Sequence, residues 1–328
     1  MDNFSEIFGN TENIAMFSSL IKSGKLSHAY LLSGPEGSGK KTMALSVAAE
    51  LASGQSDAQT IKRIKNGYCP DVSIIRGEED KKSTGVETVR EFISKVALSP
   101  EELEFKMFIF DKADKLTPQA QNSLLKVIEE PPADVYIFLL CEEPSSMLGT
   151  VRSRVQNVAM QKFTPEQIKS YFQSMTYIDT TTERFEFASR VCLGAIGKVD
   201  DLIKNDAEFD LYNNAFKIVE AQAKKNHGGS FFDFSTLVIS SCDSREKMSD
   251  SLDFLLTAYR DLIAVKVDPD AQMGFFSHED AERLSEKFAM ASLESCSDAV
   301  SKIKRGSVFN TNLNISSAHL SCLLWNAV

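Results

Sequence analysis

Long apolar runs, closely spaced cysteines and an excess of basic residues are all missing from this sequence of 328 residues. Its longest strongly apolar run, Val135 to Cys141, is far shorter than the roughly 20 residues that a helix needs to cross a bilayer. The amino terminus has neither the basic start nor the apolar core of a signal peptide. We therefore expect a cytoplasmic protein that has no membrane partner.

The six cysteines lie too far apart for a metal-binding CxxC pair or a compact disulfide framework, and the four histidines are equally scattered. Reduced and mostly buried thiols are the simplest expectation. A formal net charge of −10 argues against a chain that binds DNA alone, because phosphate contacts need a basic surface. That charge does not exclude a subunit that leaves DNA contact to its neighbours.

The sequence does contain a glycine-rich stretch between an apolar run and a helix-forming run. Gly34, Gly37 and Gly39 follow the apolar run, and Lys40 precedes the helix. Strand, glycine loop and helix form the context of a phosphate-binding loop, in which backbone N–H groups turn inward and the helix start adds partial positive charge. Lys40 lies where a lysine reaches the terminal phosphates.

The position after Lys40 is unsuited to catalysis. A phosphate loop needs Ser or Thr there, because that hydroxyl ligates Mg²⁺, and this chain has Lys41. Thr42 belongs to the degenerate loop but is no substitute, since one further residue turns a side chain by about 100°. A glycine-rich turn without a ligand remains the alternative.

Repeated alternation of apolar strands and amphipathic helices predicts an α/β domain with a parallel sheet and helices on both faces. Asp111 ends the apolar run that begins at Lys106, the place of a Walker B acid. The next residue is Lys112, where an ATPase of this build has a glutamate that activates water. Alternatively, Asp111 is only a solvated carboxylate at the end of a strand.

The elements themselves are also predicted from pattern. Strands are expected in the run before Gly34 and at 70–75, 106–111 and 135–141, and helices at 10–21, 85–98 and from Pro118. Residues 52–69 are predicted to be polar and loop-rich. After Phe163 the sequence shows no further apolar run of the kind that predicts a buried strand. Beyond it we expect only helices, including a capping box at Thr164, a long helix at 246–266 and an interhelix loop at 226–229.

Two further basic features bear on nucleotide chemistry. Arg152, Ser153 and Arg154 follow the last strong strand, and an arginine there can reach a neighbouring subunit's nucleotide. The alternative is that both arginines pair with surface acids. Lys198 opens a helix in the region after Phe163, where it either leans over a nucleotide bound in the same chain or is solvated.

At these residues the chain resembles the δ′-type subunits of bacterial DNA polymerase III clamp loaders, a branch of the AAA+ family. The segment around Arg154 is similar to the family's Ser-Arg-Cys motif, with Val155 in place of cysteine. The resemblance extends over nearly the whole chain and is carried by residues 26–32, 116–126, 129–132, 152–155, 256–262 and 310–312.

The resemblance implies an AAA+ P-loop domain at 1–163, a small helical lid at 164–205 and an all-helical collar at 206–328. It implies a subunit without ATPase activity of its own, in a ring with motor (γ/τ-type) and δ-type subunits that places a sliding clamp on primed DNA. Arg154, with Ser153, would act on a neighbour's ATP. The chain's own loop would be empty or hold ATP or ADP without turnover.

The sequence departs from the family at two places. Residues 52–69 contain only Cys69 where many relatives have a four-cysteine module, so no zinc is expected. Cys141 lies where motor subunits have a polar sensor residue. Two alternatives remain open: a self-sufficient AAA+ ATPase of the motor kind, which Lys41 and Lys112 oppose, and a nucleotide-dependent interaction module outside replication.

Overall fold

A computed structural model describes residues 3–76, 86–175, 178–225, 228–307 and 312–328 of the chain. The strands are β1 (Ala29–Ser33), β2 (Val72–Ile75), β3 (Lys106–Phe110), β4 (Val135–Cys141) and β5 (Gln156–Ala159). The helices are α1 (Thr11–Lys22), α2 (Lys40–Ala52), α3 (Ala58–Lys65), α4 (Val86–Val96), α5 (Pro118–Glu129), α6 (Gly149–Arg152), α7 (Pro165–Gln173), α8 (Glu183–Val191), α9 (Val199–Lys204), α10 (Asp206–Ala223), α11 (Phe231–Ser240), α12 (Arg245–Val267), α13 (His278–Ser285), α14 (Met290–Ser307) and α15 (Leu313–Asn326).

The five strands form one parallel sheet in the order β2-β3-β4-β1-β5. Successive residues of β1 enter different cores: Tyr30 and Leu32 pack on the side of α2, while Ala29 and Leu31 pack on the side of α4 and α5. This alternation explains why the strands are apolar on both faces. Because all strands are parallel, the loops after β1, β3 and β4 leave from the same edge of the sheet.

The chain divides into two compact units. One consists of Met1–Phe163 together with Gly194–Lys198 and contains the sheet, and the other consists of Thr164–Leu193 and Val199–Val328. The described residues of the second unit form helices and contain no strand. The division into domains at 1–163, 164–205 and 206–328 stays a prediction. Within the described ranges, none of the helices is both long enough and apolar enough to cross a bilayer.

One prediction about local structure is wrong, and one strand was not predicted. Residues 52–69 are not loop throughout, because α3 lies there, and the Asp57 carboxylate caps it by accepting the Thr60 N–H at 2.7 Å. The short strand β5 was not predicted, since its residues are mostly exposed and only Val158 is buried. As the edge strand beside β1, it needs no apolar pattern.

Other local predictions are confirmed. Thr117 caps α5 by accepting the Ala120 N–H, with Pro118 in the first turn. Thr164 and Gln167 form a capping box at the start of α7. Parts of three predicted features lie outside the described residues: Gly85 of a helix, 226–227 of an interhelix loop and 310–311 of the collar motif.

Candidate nucleotide site and arginine loop

The loop between β1 and α2 has the backbone shape that its glycines predict. Gly37 and Gly39 have φ angles of 78° and 85°, a left-handed region that other residues enter at a cost. A Cβ atom on Gly37 would lie 2.8 Å from the Cγ of Lys198, and the Gly197 N–H donates to the Gly37 carbonyl at 3.0 Å. The segment 194–198 therefore packs directly on the phosphate loop.

The start of α2 offers hydrogen-bond donors to an anion. Its N-cap, Gly39, supplies no side-chain acceptor to the first turn, whereas Thr117 and Thr164 cap α5 and α7. The Ser38 hydroxyl is buried, and no described residue hydrogen-bonds it. A phosphate oxygen would satisfy both the helix N–H groups and this hydroxyl. These residues fit a phosphate group.

The Lys40 ammonium points back into the loop. Its Nζ donates to the carbonyls of Gly34 at 2.6 Å and Pro35 at 2.8 Å. Burial lowers the pKa of Lys40, and the nearby Glu142 is the largest of the charges that oppose this shift. Lys40 thus stabilises the loop and lies beside the place where phosphate would bind.

Lys112 approaches the same loop from the end of β3. It has φ 57° and ψ 51°, a left-handed conformation that is unusual for a residue other than glycine. Its Nζ lies 3.1 Å from the Glu36 carboxylate, and this hydrogen bond lowers the pKa of Glu36. The Lys198 Nζ lies 4.0 Å from the other oxygen of Glu36. One acid of the loop therefore contacts two of its surrounding lysines.

The residues that would bind Mg²⁺ do not fit that ion. The Asp111 carboxylate lies 3.8 Å from the Nε of Arg76, so its charge already has a partner. Lys41 and Thr42 both lie in the first turn of α2, and Lys41 has no acceptor atom in its side chain. Among the described residues no group of three His, Cys, Asp or Glu side chains could hold a metal.

Cys141 closes the site at the end of β4. Burial raises the pKa of Cys141 to about 11, so its thiol stays neutral at physiological pH. Its backbone carbonyl accepts the Gly34 N–H at 3.2 Å, which ties the loop to the end of β4. A neutral thiol here provides only a weak hydrogen bond to a phosphate.

The arginine predicted to act on a neighbour is held at the surface. The Arg154 Nε donates to the Glu129 carboxylate at the end of α5. Its Nη1 donates to the Thr150 carbonyl at 3.0 Å and to the Ser153 hydroxyl at 3.3 Å. The Arg154 side chain is nevertheless 40% exposed, and the described residues offer its Nη2 no acceptor. The surface ion pair, which the sequence analysis kept as an alternative, is therefore present, and the side chain is still partly exposed.

The backbone beneath Arg154 is firmly packed. Val151 and Val155 on either side of it are buried in the core that contains α5. Gln121, a buried residue of α5, donates to the Leu116 carbonyl at 3.1 Å and accepts the Leu148 N–H at 2.8 Å. We call residues 148–155 the arginine loop; its start is tied to α5 by these bonds.

The structure thus brings Gly37, Lys112 and Lys198 together around Glu36, and ties Arg154 to α5. Sequence reasoning missed the parts played by Glu36, Gln121 and Glu129. Glu129 lies within the segment 129–132 that carries the family resemblance, and Gln121 is a polar residue on the buried face of a helix. Both positions could therefore have been recognised from the sequence. Nothing in the sequence pattern singled out Glu36.

The strand order β2-β3-β4-β1-β5 and the glycine loop after β1 are those of an AAA+-type P-loop fold. The family model described as "DNA polymerase III, delta subunit" matches residues 9–164. The DNA polymerase III subunit delta′ of Bacillus subtilis is 28% identical over 255 residues, which cover 75% of each chain. Residues 9–164 therefore resemble this family of DNA polymerase III subunits, and three quarters of the chain is similar to a delta′ subunit.

Two other similarities extend this result. A DNA polymerase III subunit gamma/tau of Mycobacterium bovis is 30% identical over 178 residues, covering 51% of this chain and 30% of that protein. A solved structure, a DNA polymerase III gamma subunit-related protein from Thermotoga maritima, superposes with a TM-score of 0.51. It is 15% identical and covers 95% of this chain and 99% of its own, so it shares the fold.

Proposed function

We propose that this chain is a non-hydrolysing subunit of a bacterial clamp loader that donates Arg154 to the nucleotide of a neighbouring motor subunit. One observation carries the proposal: Lys112 is paired with an acid of the chain's own loop, while the guanidinium of Arg154 is held at the surface. A site without a general base cannot activate water, but an arginine at a surface can serve a second site.

The chain's own loop lacks two parts of the hydrolytic machinery. Lys41 replaces the hydroxyl that ligates Mg²⁺, and Lys112 replaces the acid that orients water. An ammonium group donates hydrogen bonds and accepts none, so neither lysine can take over these roles. ATP or ADP bound at the loop would remain unhydrolysed.

Arg154 has the features of an arginine that acts in trans. A guanidinium that stabilises the transferred phosphoryl group accelerates hydrolysis by roughly 10³–10⁵-fold. Exposed ion pairs contribute only about 0–1 kcal/mol, so exchanging the Glu129 carboxylate for a phosphate costs little. The bonds of Nη1 to Thr150 and Ser153 orient the side chain and would leave Nη2 to contact a nucleotide.

The partners follow from this role. The chain would assemble in the cytoplasm with γ/τ-type motor subunits and a δ-type subunit, and would reach the sliding clamp and primed DNA through that complex. The helices after Asp206 would form its contribution to a collar. The relatives are themselves DNA polymerase III subunits, which supports membership of such an assembly.

The test compares Arg154→Ala with Arg152→Ala in an assembly reconstituted from this chain, its motor and δ-type subunits, the clamp and primed DNA. We expect Arg154→Ala to slow clamp loading by at least about tenfold, because one ATP site loses its trans guanidinium. Arg152→Ala, which removes the same charge from the same loop, should stay within about twofold. Size-exclusion chromatography verifies that both variants assemble.

Equal loading rates in the wild type and Arg154→Ala assemblies would contradict the proposal. The similarity to gamma/tau subunits supports a second candidate, a self-sufficient AAA+ ATPase. An ATPase assay on the purified chain separates the two, since turnover above the background rate favours the second candidate and its absence favours the first.

A further inference from the structure

We propose that the carboxylate of Glu36 is a built-in competitor for nucleotide phosphate. This carboxylate lies among Lys40, Lys112 and Lys198, which we call the lysine cluster. A nucleoside polyphosphate would therefore bind there only by displacing Glu36. This inference rests on the proposed role of the loop as a phosphate site and is independent of the role of Arg154.

The contacts of Glu36 are those that a bound phosphate would make. Its two oxygens face two different ammonium groups, with Lys112 at 3.1 Å and Lys198 at 4.0 Å. Lys40 lies close enough to lower the pKa of Glu36 as well, behind the larger effects of Lys112 and Lys198. Three lysines from three separate segments thus act on one carboxylate.

These lysines are positioned by the backbone and not by Glu36 alone. Lys112 follows β3 directly, and Lys198 is held over Gly37 by the bond from the Gly197 N–H to the Gly37 carbonyl. Lys40 is fixed by two carbonyls of the loop. Removing the Glu36 charge would therefore leave a preformed cluster of cations, which favours a polyanion.

The Glu36 carboxylate can be displaced from the lysine cluster. The side chains of Glu36, Lys112 and Lys198 are 53%, 51% and 42% exposed, so the contact is partly solvated and its strength is modest. Glu36 can swing into water without leaving a buried charge behind. The structure therefore describes competition for the cluster and not a permanent block.

The donors that follow Glu36 in the chain, at Ser38 and the start of α2, indicate which ligand Glu36 competes with. The Ser38 hydroxyl has no partner among the described residues, and the first turn of α2 has no side-chain cap. The single carboxylate on Lys112 and Lys198 leaves these donors unsatisfied, whereas a chain of several phosphates can offer acceptors to both sets. The ligand class is a nucleoside polyphosphate.

The experiment measures ATP and ADP affinity by isothermal titration calorimetry on the full chain, with EDTA present because no metal ligation is expected. The variants are Glu36→Gln, Glu36→Ala and the matched control Glu142→Gln. Glu142 is an exposed acid that lies near Lys40 and Lys112 and carries the same charge, but it forms no ion pair with Lys112 or Lys198. Thermal melts verify that all three variants are folded.

We expect both Glu36 variants to bind ATP at least about tenfold more tightly than the wild type, and Glu142→Gln to stay within about twofold. A double-mutant cycle sharpens the test. Lys112→Met should weaken binding clearly in the Glu36→Gln background but little in the wild type, where Glu36 already neutralises the ammonium.

Equal increases in ATP affinity in the Glu36 and Glu142 variants would overturn the inference. The increase would then come from removing any negative charge near the loop and not from removing a competitor. Absence of binding by Glu36→Gln and Glu36→Ala at millimolar ATP would overturn it too, and would remove the loop as a phosphate site. Neither result touches the clamp-loading comparison of Arg154→Ala, so failures of the two proposals are distinguishable.

Discussion

The backbone of Lys112 is strained, and this strained conformation positions its side chain. Its left-handed conformation turns the chain sharply after β3, and the Lys115 N–H closes that turn on the Lys112 carbonyl at 2.9 Å. A left-handed conformation costs a residue with a Cβ atom roughly 1–2 kcal/mol. Strain of this kind persists where the surrounding structure requires it, as in a site that aims a side chain.

This strain leads to a stability prediction that compares Lys112→Gly with Lys112→Ala. Both variants lose the contact with Glu36, but only glycine adopts the left-handed conformation without cost. We expect the glycine variant to be more stable than the alanine variant by about 1 kcal/mol. Urea unfolding measures the difference, and an alanine variant of equal or greater stability would show that the turn is not strained.

Single residues also mark the limit of what the sequence predicts about the site. Spacing alone predicted the loop glycines and Lys40, because a phosphate loop is a local motif, and the end of an apolar run predicted Asp111. The contact between Glu36 and Lys112 joins two loops that are brought together only by the parallel sheet. Its geometry further depends on a φ angle of 57° at a lysine, which residue type does not predict.

Among the elements of the helical unit, α12 contains a buried carboxylate that organises the loop following it. Asp261 is fully buried, and its Oδ2 accepts the N–H groups of Gly274 at 2.9 Å, Phe275 at 2.6 Å and Phe276 at 3.2 Å. Burial raises the pKa of Asp261, and these three donors oppose the shift. The loop between α12 and α13 is therefore organised around one titratable side chain.

The pH dependence of stability follows from the direction of that shift. Because the folded pKa of Asp261 exceeds its ordinary value of 3.8, the folded state binds the proton more tightly than the unfolded state. This contribution to stability is full below the unfolded pKa and is lost as the pH rises through the folded pKa. We expect the wild type to gain stability relative to Asp261→Asn as the pH falls toward 3.8.

Urea unfolding of the wild type and Asp261→Asn at several pH values checks this expectation, because every other titrating group contributes equally to both proteins. A wild type that loses stability relative to the asparagine variant on acidification would contradict it. Asp71→Asn is a useful control, since Asp71 is likewise buried and accepts three backbone N–H groups, from Glu101, Glu102 and Leu103.

The elements predicted correctly are those whose signal is local. Four strands were predicted because buried parallel strands are apolar on both faces, and α7 because its capping box is complete within four residues. The missed elements include β5 and α3. β5 is stabilised by pairing with β1, and α3 by packing Ile64 into the core, so both depend on tertiary contacts that polar sequences do not reveal.

At the scale of the whole molecule, the phosphate loop and the arginine loop of the sheet-containing unit differ in how their charged groups are paired. The phosphate loop is surrounded by lysines that balance its own Glu36, whereas the arginine loop directs part of a guanidinium outward. Under the proposed function, such a chain would act in catalysis only beside another chain that supplies ATP, Mg²⁺ ligands and a water-activating acid. A place beside other subunits is therefore what the proposed function requires of this chain.

Charge leads to the last prediction, which concerns DNA. With a net charge of −10, the chain alone should bind primed DNA with a Kd above about 100 µM near 150 mM salt. Under the proposed function, the assembly with motor subunits and ATP should bind far more tightly, because the neighbouring subunits would supply the basic surface. Fluorescence anisotropy with a labelled primer–template measures both. Micromolar binding by the isolated chain, weakening steeply with salt, would show instead that it carries its own phosphate-contacting surface.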